Sequence, residues 1–189
     1  MDTESLGLLL GLAGGVGLAA ASGFRVFVPL LGVGLATRVG QITPGEGWSW
    51  VGEPIALVAL GVAVALELGA YFVPWVDNAL DTVATPAAVV AGTLLTALML
   101  GDAPPALQWI LAVVAGGGTA GMVQTGTVLA RAASLGTTGG AANPLVGLGE
   151  AILSVLLTLL SVLVPLLALA IVGGVVLWWF RRRRTPAPA

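Results

Sequence analysis

Residues 151–180 form an unbroken stretch without a single Asp, Glu, Lys or Arg. A run of this length belongs in hydrocarbon, where roughly 20 apolar residues cross the core as a helix. The rest of the 189-residue chain offers no water-facing shell to hide it. Charged residues make up 8%, against about 25% in a soluble domain. Hydrophobic residues make up 58%, and the mean hydropathy is +1.05. The sequence therefore predicts an all-α integral membrane protein of about six transmembrane helices in three hairpins. Residues 1–180 form one polytopic domain, and residues 181–189 an Arg-rich stop-transfer and tail.

Absent residue types narrow the chemistry. Without Cys there are no disulfides, Fe–S clusters or thiolate catalysis; without His there is no ordinary haem, zinc or Ser–His site. No metal site or cofactor is predicted. The basic residues are seven arginines, four of them consecutive at 181–184. That leaves no basic surface for nucleic acid.

Helices are expected at 5–21, 26–39, 54–72, 86–101, 105–135 and 144–180. The first carries acids, not arginines, before its apolar core, so it reads as a retained helix rather than a signal peptide. The second is short enough that its turn at residues 22–25 should lie below the membrane surface, as a re-entrant turn beside a cavity. Thr85-Pro86 and Asn143-Pro144 each read as a cap followed by an N1 proline, starting the fourth and sixth helices. The last segment is too long for one untilted span and too short for two, so Pro165 is expected to kink it. Gly116-Gly117-Gly118 sits in an apolar helix and reads as a close contact or local break, not a nucleotide loop. Gly7, Gly11 and Gly15 form a small-residue stripe for packing within or between subunits, the latter giving a homo-oligomer.

Orientation follows from arginine bias. The Trp178-Trp179-Phe180 belt followed by four arginines places the C-terminus in the cytoplasm of an inner membrane. Six spans would put the N-terminus there too, with the 41–53 loop and the 101–105 turn. The polar residues of the other connections then gather at the opposite end. They are Arg25, Asp77, Asn78, Asp81, Arg131, Asn143 and Glu150, with Glu67 deep in the third helix.

An intramembrane ionisable residue is a functional candidate by default. Arg25 reads as an anion ligand or gate, or as an ion-pair partner of Glu67, Asp77 or Asp81. Glu67 reads as a proton carrier hydrogen-bonded by Tyr71, or as a packing residue. Asp77 and Asp81 are one helical turn apart, able to share a proton or hold a cation, or simply to complement a helix start.

Several motifs in order resemble one family: Gly23-Phe24-Arg25, Val73-Pro74-Trp75-Val76-Asp77-Asn78, Thr85-Pro86-Ala87-Ala88, the glycine run 116–121, and Thr137-Thr138-Gly139-Gly140-Ala141-Ala142-Asn143-Pro144. This is a bacterial polytopic membrane-protein family catalogued as domain of unknown function 4126. The resemblance implies a compact membrane domain and transfers no activity. Two readings stand. One is a non-enzymatic transporter or channel for a small ion or polar or anionic solute, with the carboxylates as proton or cation sites. The other is a structural or assembly subunit held together by the same residues. A lipid-handling protein or membrane enzyme comes third.

Overall fold

The computed structural model describes residues 2–45, 47–70 and 74–183; the side chains of 74–82, 179–180 and 183 lie outside the description. Among the described residues every regular element is helical. The chain runs through α1 (Thr3–Phe24), α2 (Phe27–Arg38), a 3-10 turn (Ser49–Gly52), α3 (Pro54–Gly69) and α4 (Pro74–Met99). Next come α5 (Pro105–Leu111), a π-helical turn (Ala112–Gly117) and α6 (Gly118–Thr138), then α7 (Asn143–Leu163) and α8 (Pro165–Arg183). Among the described residues, three helical stretches can cross a membrane by length and composition: Thr3–Phe24, Pro105–Thr138 and Asn143–Leu163. Phe27–Arg38, Pro54–Gly69, Val83–Met99 and Pro165–Trp178 are shorter apolar helices.

Proline sets several starts. Pro54 and Pro105 open α3 and α5, where the missing N–H is one that a helix start leaves unbonded anyway. Pro165 opens α8 in the same way. Asp2 caps α1, its carboxylate accepting from the Ser5 N–H at 3.1 Å.

Two helix limits differ from the sequence reading. Thr85-Pro86 does not start a helix: α4 begins at Pro74 and carries Pro86 inside it. The N1 place is taken by the earlier proline, and the helix runs on through the missing N–H of Pro86. The segment 144–180 is not one kinked helix. Val164 takes φ −141° and ψ 68°, breaking the chain between α7 and α8.

α8 folds back on α7. A Cβ placed on Gly17 would meet both Ser161 and Ala168, the latter at 2.9 Å. In a straight helix two positions seven apart are separated by about 10 Å. Leu157 and Val172 likewise share one apolar cluster with Val16, Ala20 and Ala21. So α7 runs antiparallel to α1, and α8 parallel to it. With this reversal the described residues hold seven apolar helical stretches, three of them long enough to cross a membrane. The reversal also carries α8 towards the C-terminal end of α1, away from the N-terminus.

α1 is the hub, packed against α4, α6, α7 and α8. Small residues let the backbones approach. A Cβ on Gly11 would strike the Met99 carbonyl, and one on Gly15 would come within 2.9 Å of Thr96 Cα. These two glycines of the predicted stripe are thus spent inside the subunit, while Gly7 faces open space. A Cβ on Gly116 would lie 2.6 Å from the Gly92 carbonyl, so the glycine run provides both the close contact and the π-helical break.

The 41–53 loop and the 101–105 turn, expected only to share one side of the membrane, lie against each other. A Cβ on Gly45 would lie 2.7 Å from Gly101 Cα. The first turn of α1 borders the same region, in a recess of about 240 Å³ lined by Thr3, Glu4, Met99 and Asp102.

Candidate functional site

The C-terminal end of α1 gathers three residues far apart in sequence. After Phe24 the chain leaves the helix at Arg25, extended at φ −146° and ψ 120°, then starts α2 at Phe27. The break turns the Arg25 side chain towards α7. Its Nη2 donates to Glu150 Oε2 at 2.7 Å and to the Gly147 carbonyl at 2.9 Å. Arg131, on α6, reaches the same carboxylate: Nη2 donates to Oε2 at 2.7 Å and Nε to Oε1 at 3.3 Å. Side-chain exposures are 6% for Arg25, 5% for Glu150 and 11% for Arg131. A charge so far from water persists only when paired and hydrogen-bonded, and Glu150 binds both guanidinium groups.

Glu150 is therefore a partner that the sequence reading did not name for Arg25. The expected ones are placed otherwise. Glu67 presents both oxygens to backbone: Oε1 accepts from the Val26 N–H at 2.7 Å and Oε2 from the Phe27 N–H at 3.1 Å. α2 has no capping side chain of its own at Val26. A carboxylate from another helix thus does the work of an N-cap, satisfying two otherwise orphaned donors at the positive end of the helix. Tyr71, the expected partner of Glu67, lies outside the described residues. So do the side chains of Asp77, Asn78 and Asp81, although their backbone forms the first turns of α4. α4 runs antiparallel to α1, with the Ala88 carbonyl near Ser22 Oγ. Those turns therefore lie towards the Arg25 end.

Asn143 does begin a helix, but without capping it. It is the first residue of α7, and the cap position is Ala142. The Ala142 N–H goes to Thr138 Oγ1 at 3.2 Å. Asn143 Oδ1 is buried and takes no hydrogen bond among the described residues. The turn before it needs Gly139 and Gly140, at φ 62° and 87°, values that side chains resist.

Below the charges, α1 and α7 are joined by hydroxyls. Ser154 Oγ donates to the Ala21 carbonyl at 2.9 Å, and Thr158 and Ser161 bond back within α7. Ser154, Thr158 and Ser161 are buried, as is Ser22. The sequence reading passed over these residues; their spacing of three and four along α7 was the available signal.

Sequence reasoning therefore brought Arg25, Arg131 and Glu150 to one end correctly, without their pairing. It identified Glu67 but not the cap it makes.

A helical bundle of apolar segments with charges buried among them is the architecture of a polytopic membrane protein. The chain belongs to the family described as Domain of unknown function (DUF4126), whose model matches residues 12–184. No curated protein and no solved structure matches it.

Proposed function

We propose that this protein is a small transporter or channel for a small ion or a polar or anionic solute, with Glu67 as a proton-carrying group. One observation carries the reading. Glu67 sits on a helix with no buried residue, yet its carboxylate is tied to the start of a broken helix beside the buried Arg25. Broken helices with polar ends recur where transporters bind their cargo. A carboxylate at such a point can take up and give back a proton.

The runner-up, a structural or assembly subunit, is favoured by Glu150, whose two oxygens are both engaged by arginines. Flux and stability measured on the same purified Glu67→Gln variant separate the two. Transport predicts altered flux, or altered pH dependence of flux, per folded molecule. Lowered stability with unchanged flux would leave only the structural role.

The orientation proposed is C-terminus in the cytoplasm of an inner membrane, from the aromatic belt and the arginines at 181–184. Because α8 runs parallel to α1, the Arg25 end then faces the cytoplasm and the N-terminus the other side.

A further inference from the structure

We infer that Glu67 is a proton-operated latch that holds α3 against the start of α2; the inference rests on the transport reading of the same residue. None of the residues Pro54–Gly69 is buried, and α3 packs on α2 and on the 3-10 turn. Its outward face is apolar, with Ile55, Val58, Val62 and Leu66 all exposed. In lipid such a face gives no net drive to stay attached, because lipid tails are as apolar as the side chains. The two bonds from Glu67 to Val26 and Phe27 form a polar tie at the C-terminal end of α3.

That tie depends on ionisation. A carboxylate accepts at both oxygens, whereas a protonated carboxyl turns one oxygen into a donor. Facing two N–H groups, the protonated form keeps the bond at its carbonyl oxygen and accepts only weakly at its hydroxyl oxygen. The favourable interaction of negative charge with the positive end of α2 disappears as well. The charged groups acting on Glu67 are Arg25 at the helix break and Glu150 beyond it, with Arg131 on the far side of Glu150. The 3-10 turn carries no charge, and the charge on α2 is Arg38 at its opposite end. Asp77 and Asp81 belong to α4, their side chains outside the described residues. Release of α3 would uncover the α2 start and open the Arg25 side of the bundle; deprotonation would close it.

The chain has no cysteine, so spin labels at Leu66→Cys on α3 and Leu148→Cys on α7, both exposed, report one distance. The measurement is made on the full chain in lipid nanodiscs across the pH range in which carboxyl groups titrate. The expected result is a second, longer distance that grows as pH falls, shifted by several ångströms. Glu67→Gln, which keeps one acceptor and no charge, should show that distance at every pH. A single unchanging distance in the wild-type chain overturns the latch, whether or not the variant folds. Flux assayed on the same samples keeps the two ideas apart. Movement without flux removes the transport reading and leaves the latch. Flux that varies with pH while the distance stays fixed removes the latch alone.

Discussion

Replacing Glu150 by Gln tests the buried charge cluster with almost no change of shape. Arg25 Nη2 and Arg131 Nη2 both reach Oε2 at 2.7 Å. A glutamine amide can place its oxygen there, but its NH2 then faces Arg131 Nε, donor against donor. More costly is the loss of the negative charge between two guanidinium groups. At an effective dielectric constant of about 20, like charges about 5 Å apart repel by about 3 kcal/mol. Removing one partner from a buried ion pair costs about 3–5 kcal/mol. Both arginines have further interactions, which favours the lower end. The expected loss is therefore about 3 kcal/mol, more than a hundredfold in the folding equilibrium. Detergent-purified protein titrated with SDS, followed by circular dichroism, measures it. The double variant Arg25→Leu with Glu150→Leu, which removes both charges of one pair, gives the coupling. A Glu150→Gln variant within about 0.5 kcal/mol of wild type would refute the account of the cluster as a charge lock.

Gly17→Ala should lower stability by about 1–3 kcal/mol, since its Cβ would strike Ser161 and Ala168. Gly7→Ala, which meets nothing, should instead gain about 0.5–1 kcal/mol from helix propensity; the same SDS titration compares them. Single cysteines at Thr43 and Ala187 should label from opposite faces of sealed vesicles, and same-side labelling would contradict the α7–α8 fold-back. The Ser5 hydroxyl and then the Ser5 N–H hold the Asp2 carboxyl below its ordinary value. The stability from this cap should therefore be complete above the unfolded carboxylate pKa and fade as pH falls through the lowered folded one. Helicity of wild type and Asp2→Asn compared along an acid titration checks this, with the difference vanishing at low pH.

The membrane character of the chain and most helix positions were legible from apolar runs and turn residues alone. Helix limits failed where local signals were ambiguous. Thr85-Pro86 has the chemistry of a start, but Pro74 begins the helix earlier and tertiary packing carries it through. At 164–165 a proline within an apolar run could mean a kink or a reversal, and only contact with Gly17 decides. The partner of Arg25 was beyond reach for a related reason. Arg25 and Glu150 are 125 residues apart. Their meeting depends on how α7 registers against α1, which small-residue contacts at Gly14 and Gly17 fix. Glu67 was conspicuous as a charge in an apolar helix, but its role as a cap depended on which helix end lay beside it.

The buried surface of α1 has a consequence for how this bundle assembles and moves. Apart from Val16, Leu18 and Ser22, its buried residues are glycine or alanine. These have no rotamers to lose, so the central contacts form with little side-chain entropy cost. In a lipid solvent, where apolar attraction between helices is weak, that saving weighs more than it would in water. The same economy removes slack. With few buried side chains of its own to reorient, the hub takes up little displacement by repacking. The arrangement favours rigid-body, peripheral motion, carried by helices that touch the hub least.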